Sequence, residues 1–134
     1  SSIEVLTPDF LGVEEEALAT VLGARPEVFN HNIETVRRLH RRMRGAKATY
    51  DGALWLLCRA KEAADYPVMT KSGIIVGLGE TNDEVVETIG RVVRVSRGGA
   101  GAPPGMGIEF DELNPDDRKR IDRIVRSLRA KGGR

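Results

Sequence analysis

The sequence predicts an α/β fold, in which a parallel sheet of strand–helix units is followed by a short antiparallel β segment and a C-terminal helix. Short apolar strands alternate with amphipathic helices up to about residue 89, and this alternation is typical of crossover connections and parallel sheets. Residues 68–76 are too apolar for a half-exposed strand and predict a central strand covered on both faces. After Gly90 the pattern changes to alternating strands around a Gly/Pro-rich loop.

The first elements follow from apolar spacing and chain-breaking residues. Residues 3–6 predict a short strand that Pro8 ends, and Asp9 suits a turn or a helix cap. A helix follows, with apolar residues three and four apart, and it ends before Pro26. Residues 28–29 begin a second strand that leads into the polar run NHNIET, after which a basic helix is expected.

The later elements include one ambiguous segment. Residues 49–64 repeat apolar side chains with helical period, and residues 82–84 carry the polar side chains of a helix start. Residues 91–95 alternate like a strand, although residues 85–93 are also consistent with one continuous helix. A further strand is predicted at residues 107–110, and a final helix begins at Asn114-Pro115. We therefore divide the chain into residues 1–89 and residues 90–134.

Composition excludes several classes of protein. The chain has 21 Lys and Arg against 20 Asp and Glu, so its net charge of +1 predicts no nucleic-acid partner. The single cysteine, Cys58, cannot form an internal disulfide or by itself hold a metal cluster, so we predict no metal ligands and a reducing, cytoplasmic location. No apolar run approaches the roughly 20 residues that span a bilayer, so we expect no membrane partner.

The stretch SGIIVGLGET, residues 72–81, places glycines directly after the central strand. A dinucleotide-binding loop would need a third glycine where Asn82 stands, and no Gly-Lys-Ser of a P-loop follows. The pattern that remains is Gly73-x-Ile75-x-Gly77-x-x-Glu80. Glycines at a strand end allow a flat ring to lie against the backbone without a Cβ clash.

The run VFNHNIET, residues 28–35, places polar groups at the carboxyl end of another strand, where parallel sheets bind ligands. Asn32 and Glu34 alternate with Ile33, so both side chains are candidates for contact with paired hydroxyls such as a ribose diol. The alternative is that Asn30 or Asn32 caps the basic helix and Glu34 lies in its first turn.

Taken together, IEVLTPDF, VFNHNIETV, TKSGIIVGLGET and DEVVETI resemble the lipoyl synthase family in order and spacing, over about residues 3–89. The resemblance implies a slice of a partial (β/α) radical S-adenosylmethionine barrel. It also implies a sulfurtransferase in which a reduced [4Fe-4S] cluster cleaves S-adenosylmethionine and the deoxyadenosyl radical abstracts hydrogens from an octanoyl chain. The implied partner is an octanoylated lipoyl carrier protein, and a second cluster donates the sulfur.

The same resemblance assigns cofactor-binding residues. Asn32 and Glu34 match the pair that contacts the ribose, whereas Ile75, Gly77 and Glu80 match the strand on the adenine side. Within TKS, residues 70–72, Lys71 and Ser72 match positions at the methionine end of the cofactor or at the substrate. Lys71 is suited to a carboxylate, and His31 is expected to pack or support the site rather than to bind a ligand. No catalytic residue is assigned.

The resemblance to lipoyl synthase is incomplete. The family carries two cysteine triplets upstream of the matched part, including the Cys-x-x-x-Cys-x-x-Cys run that holds the reductive cluster, whereas this chain has only Cys58. We therefore expect the isolated chain, a fragment of the family's barrel, to be inactive in reductive cleavage.

Residues 90–134 resemble the closing strands and terminal helix of a PilZ domain, which binds cyclic di-GMP. The nucleotide-binding arginines of that family match nothing in this part of the chain. Two alternatives therefore stay open beside the enzyme fragment. One is a PilZ-like regulatory or interaction module, and the other is an α/β remnant without activity.

Overall fold

The computed structural model describes residues 1–95 and 106–109, together with Lys119, Arg123 and Arg126. Strands and helices alternate along this part of the chain, except that two helices lie between the second and third strands. The elements are β1 (Glu4–Leu6), α1 (Glu14–Gly23), β2 (Val28–Asn30), α2 (Arg37–Arg44), α3 (Tyr50–Ala63), β3 (Met69–Gly73), α4 (Asn82–Val95) and β4 (Met106–Glu109).

The strands form one sheet in the order β1-β2-β3-β4, and each neighbouring pair is parallel. The predicted α/β class with a parallel sheet is therefore confirmed. Leu6, Asn30 and Lys71 lie in one line across the first three strands. Because the strands all run in one direction, the segments that follow β1, β2 and β3 lie at the same edge of the sheet.

The two faces of the sheet differ in what covers them. Side chains alternate along each strand, and Phe29, Thr70 and Ser72 are buried on the face that α3 and its neighbours cover. On the opposite face, which we call the open face, Leu6 is 64% exposed and Met69 is 52% exposed. On this face the side chains of Glu4 and Lys71 are 41% and 25% exposed, whereas Asn30 between them is buried.

The core lies between the sheet and the helices. Leu18 of α1 and Leu57 of α3 pack with Phe29, and each of the three is at most 1% exposed. Helix α3 begins where its spacing predicts, because the Thr49 hydroxyl accepts a hydrogen bond from the N–H of Gly52 at 3.0 Å and so caps the helix.

Helix α4 begins at a capping box. The Thr81 hydroxyl accepts a hydrogen bond from the N–H of Glu84 at 3.3 Å, while the Glu84 carboxylate accepts one from the N–H of Thr81 at 2.8 Å. The helix start was expected at residues 82–84, and the cap is the threonine that precedes them.

The strand predicted at residues 91–95 is wrong, because α4 continues to Val95. Val85, Ile89 and Val92 are all at most 8% exposed and recur with helical spacing. Arg91 donates hydrogen bonds to Glu87 one turn earlier. Burial with helical period and the ion pair outweigh the local alternation, so the helical alternative for this segment is the correct one.

The strand predicted near residues 107–110 is present as β4, but its predicted antiparallel direction is wrong. It pairs parallel with β3, with Thr70 opposite Met106. A strand's own sequence does not encode its direction, whereas a connection that contains a helix leads to a parallel partner. Of the predicted C-terminal helix, Lys119, Arg123 and Arg126 are helical and exposed, and the rest lies outside the described residues. The division at residue 89 stays a prediction.

Candidate functional site

The segments that follow β2 and β3 meet at the carboxyl edge of the sheet. Glu34 pairs with Ile74 in an isolated parallel bridge. The N–H of Glu34 donates to the carbonyl of Gly73 at 3.0 Å, and the N–H of Ile75 donates to the carbonyl of Glu34 at 2.7 Å. The polar segment after β2 and the glycine-rich segment after β3 therefore form one continuous surface.

Asn32 and Gly73 are in close contact within this surface. A Cβ atom built on Gly73 would lie 2.8 Å from Oδ1 of Asn32, so the absence of a side chain at Gly73 makes room for the amide. Glu34 has a φ of 67°, a left-handed conformation that is uncommon for residues other than glycine. Its backbone is held in this conformation by the two hydrogen bonds to the segment that follows β3.

The proposed capping role of these residues is wrong. Helix α2 begins at Arg37, its N-cap is Val36, and no side chain caps it. Asn30 and Asn32 precede that cap by four residues or more, and Glu34 precedes the first turn. The polar side chains after β2 are thus not explained by the helix that follows.

The loop after β3 combines an exposed aliphatic side chain with two bare backbone positions. Ile75 is 53% exposed. Gly77 and Gly79 have φ values of 95° and 104°, and nothing lies within 4 Å of a Cβ atom built on either. These positions leave open space beside the backbone of the loop.

The Glu80 carboxylate closes this loop on itself. It accepts hydrogen bonds from the N–H groups of Gly77 and Leu78. Partial burial raises the pKa of Glu80, but the backbone hydrogen bonds outweigh burial and leave the pKa below its ordinary value. Glu80 therefore shapes the loop as a carboxylate.

A polar row crosses the open face of the sheet. Glu4 of β1 accepts hydrogen bonds from the Asn30 amide at 2.8 Å and from the Lys71 ammonium at 3.2 Å. The hydrogen bond from Asn30, followed by that from Lys71, lowers the pKa of Glu4. The Asn30 Oδ1 atom has no hydrogen-bond partner among the described residues, although it is buried. The Lys71 charge expected to face a ligand carboxylate thus lies beside Glu4.

Ser72 is separated from the other predicted site residues. It lies on the helix-covered face, is 2% exposed, and its hydroxyl accepts a hydrogen bond from the N–H of Ile33 at 3.1 Å. Lys71 and Ser72 are consecutive in a strand and therefore point to opposite faces. Ser72 therefore supports the backbone of the segment after β2 from the helix-covered face of the sheet.

His31 is a buried neutral base. The ring is 1% exposed, and its Nδ1–H donates to the carbonyl of Thr7 at 3.0 Å. Burial lowers the pKa of His31 and outweighs the opposite effects of Thr7 and Asp9. This position agrees with the packing role expected from the sequence.

Sequence comparison identifies the family of this fold. Residues 2–92 match the family model of the radical SAM superfamily. The chain belongs to the radical SAM superfamily. The matched range contains every residue of the candidate site, from Glu4 to Glu80, so the convergent edge of the sheet belongs to the radical SAM part of the chain.

Relatives within the superfamily are lipoyl synthases. The protein named "Lipoyl synthase" from Caldanaerobacter subterraneus subsp. tengcongensis is 54% identical over an alignment that covers 92% of this chain and 44% of the relative. Those from Roseiflexus sp. and Chloroflexus aurantiacus are 54% and 56% identical, and both alignments cover 67% of this chain and under 30% of the relative. The chain spans less than half the length of these relatives. The resemblance of residues 3–89 to this family is thereby supported.

Radical SAM enzymes use a cysteine-bound iron–sulfur cluster, and the described residues of this chain do not fit one. No group of three or more His, Cys, Asp or Glu side chains suited to a metal occurs among them. Cys58 lies in α3 beside Glu62, and burial, followed by the hydrogen bond to that carboxylate, raises the pKa of the thiol. A raised pKa opposes the thiolate form that binds metal.

None of the helices in the described part of the chain has both the length and the apolar character of a membrane span.

Sequence reasoning missed three residues of this candidate site: Glu4, Asp9 and Arg44. Asp9 was expected to end a turn or cap a helix, but α1 begins at Glu14 without a side-chain cap. Its carboxylate instead binds Arg44 and lies 3.4 Å from the His31 ring. The rule that carboxyl ends of parallel strands meet at one edge, when applied also to β1, would have found Asp9.

Proposed function

We propose that the edge formed by the segments after β2 and β3 binds the adenosyl part of S-adenosylmethionine in a lipoyl synthase-type radical SAM sulfurtransferase. The observation that supports this most directly is the pairing of Glu34 with Ile74, which joins the two segments into one surface. Asn32 and Glu34 then contact the ribose, and the loop of residues 75–80 receives the adenine.

The residues present are chemically suited to this ligand. A carboxylate at Glu34 accepts hydrogen bonds from two vicinal hydroxyls, and the Asn32 amide both donates and accepts. The open backbone at Gly77 and the exposed Ile75 side chain provide a flat apolar surface for a purine ring. Glu80 holds the loop through the N–H groups of Gly77 and Leu78, and its carboxylate has further lone pairs that can accept a hydrogen bond from the ligand.

Lys71 is the candidate for the methionine end of the ligand. It lies on the open face, where the Asn30 Oδ1 atom next to it lacks a partner among the described residues. A ligand carboxylate near Lys71 would compete with Glu4 for the ammonium group. We assign Ser72 a supporting role, because it lies on the opposite face.

The chemistry that follows binding is proposed from the relatives. When bound, S-adenosylmethionine supplies the group that abstracts hydrogen from an octanoyl chain, and the partner is an octanoylated lipoyl carrier protein. One cysteine in the sequence does not provide the several thiolates that hold a [4Fe-4S] cluster. We therefore assign this chain the adenosyl-binding part of the site and expect no reductive cleavage by the chain alone. Deoxyadenosine formed by anaerobically reconstituted protein with dithionite would contradict this assignment.

Calorimetric titration tests the binding site. The chain is titrated with S-adenosylmethionine, S-adenosylhomocysteine and cyclic di-GMP, and the Asn32→Ala and Glu34→Gln variants are compared with Glu16→Gln on the exposed surface of α1. We expect the first two ligands to bind. Glu34→Gln is expected to lose about 1.5 to 3 kcal/mol, the range for hydrogen bonds to charged groups, and Asn32→Ala about 0.5 to 1.5 kcal/mol, the range for neutral ones. Equal affinity in all variants, or no saturable binding, would reject the proposal.

Cyclic di-GMP tests the PilZ-like interpretation of residues 90–134, which stays a prediction. Saturable binding of cyclic di-GMP, with the same affinity in the Asn32 and Glu34 variants, would favour a PilZ-like module over the adenosyl site.

A further inference from the structure

We propose that Arg44 is a positioning residue that, held by Asp9, fixes the orientation of Asn32 toward the adenosyl ligand; this inference rests on the proposed function. Neither Arg44 nor Asp9 belongs to the predicted site. Arg44 lies at the end of α2, twelve residues after Asn32.

The Arg44 guanidinium joins the segments that follow β1 and β2. One terminal nitrogen donates to the carbonyl of Asn32 at 3.1 Å, and the other donates to the carboxylate of Asp9. The two side chains are 20% and 16% exposed, so the ion pair is sheltered from water on most of its surface. A planar guanidinium serves both acceptors at once, whereas a lysine ammonium has no such fork.

Asn32 lies outside any strand or helix and depends on neighbouring groups for its backbone conformation. On one side, the N–H of His31 donates to the carbonyl of Lys71; on the other, the N–H of Glu34 donates to the carbonyl of Gly73. The Asn32 carbonyl between them is bound by Arg44. The peptide group between Asn32 and Ile33 is therefore held at both ends. Arg44 donates to its carbonyl, and the Ser72 hydroxyl accepts from its N–H.

Asp9 has a second neighbour, the His31 ring, whose Nε2 atom lies 3.4 Å from Oδ1 of Asp9. This nitrogen has no hydrogen-bond partner among the described residues, and the other ring nitrogen contacts the carbonyl of Thr7. The carboxylate of Asp9 therefore lies between the Arg44 guanidinium, which binds Oδ2, and the His31 ring, which lies beside Oδ1.

The test compares Arg44→Ala and Arg44→Lys with Arg42→Ala, which removes an exposed arginine from the same turn of α2. Each variant of the 134-residue chain is titrated with S-adenosylmethionine, and hydrogen exchange of the ligand-free protein is followed for peptides that contain residues 31–35. We expect Arg44→Ala to weaken binding roughly tenfold and to speed exchange in that segment. Arg44→Lys retains the charge and is expected to show smaller changes of both kinds, and Arg42→Ala none.

The two readouts separate this inference from the proposed function. If the wild-type chain does not bind S-adenosylmethionine, the proposed function fails, and the exchange measurement alone then decides the role of Arg44. Wild-type exchange of residues 31–35 in Arg44→Ala overturns the inference. Faster exchange throughout the sheet and helices also overturns it, because Arg44 would then stabilise the whole domain rather than the Asn32 segment.

Discussion

Gly73 and Asn32 are complementary in shape, because a Cβ atom on Gly73 would lie 2.8 Å from Oδ1 of Asn32. The contact joins the bare end of β3 to the polar segment that follows β2. It also makes a direct experiment possible, since either residue can be changed alone or with the other.

We predict that Gly73→Ala weakens the binding of S-adenosylmethionine, because the new methyl group displaces the Asn32 amide. In an Asn32→Ala background the same substitution is expected to have little further effect. The coupling between the two changes, measured by calorimetric titration of the four proteins, is expected to exceed about 0.5 kcal/mol. Additive effects on affinity would mean that the two residues act independently.

Most elements of the fold were predictable because their signals are local. The predicted helix over residues 49–64 is found at Tyr50–Ala63, with Thr49 as its cap. Local alternation misled at residues 91–95, where burial of Ile89 and Val92 against other elements decides the conformation. The direction of β4 depends on the connection that precedes it and on its neighbour β3, and neither is written in the strand itself.

The site was predictable to the extent that it follows from parallel topology. The meeting of Glu34 with the segment after β3 follows from the rule for carboxyl ends of strands. The rule does not say which face a side chain occupies, and alternation along β3 places Lys71 and Ser72 on opposite faces. The contact of Arg44 with Asp9 joins residues 35 positions apart, and no local pattern indicates such a pair.

We predict that Gly77→Ala and Gly79→Ala each destabilise the protein by about 1 to 2 kcal/mol, because an L side chain is strained at their positive φ values. Gly23→Ala is the matched control, since Gly23 ends a helix and nothing lies within 4 Å of a Cβ atom built on it. Urea denaturation provides the free energies of unfolding. Similar values for all three variants would show that backbone conformation at the loop does not limit stability.

We predict that the free energy of unfolding depends on pH through the protonation of Glu84. Hydrogen bonds from Arg38, and then from the Thr81 N–H, lower the pKa of Glu84 from 4.5 to about 2. The unfolded chain takes up this proton near the ordinary value, so the contribution of the carboxylate is complete above about pH 4.5 and is lost as the pH falls toward about 2. The urea midpoints of wild type and Glu84→Gln are therefore expected to converge in acid.

Glu87→Gln is the control for this pH dependence, because it removes an exposed carboxylate from the same helix. If Glu84→Gln and wild type kept a constant difference in midpoint between about pH 6 and about pH 2, the protonation of Glu84 would not be linked to folding.

We predict that Leu57→Ala costs about 2 to 5 kcal/mol, because Leu57 is fully buried in the core between the sheet and α3. Met43→Ala, on the exposed side of α2 and 48% exposed, is expected to change stability by less than about 0.5 kcal/mol. Thermal and urea unfolding of both variants measure the difference. Equal losses at the two positions would contradict the assignment of the core.

The hydrogen bonds within the loop of residues 77–80 affect the entropy change on ligand binding. Because the Glu80 carboxylate accepts hydrogen bonds from the N–H groups of Gly77 and Leu78, the loop is already ordered, and under the proposed function a purine would bind without having to order it. The entropy that an unstructured loop would lose on association is lost during folding instead. Differences in affinity among variants of this edge are then expressed mainly in residence time rather than in the rate of encounter.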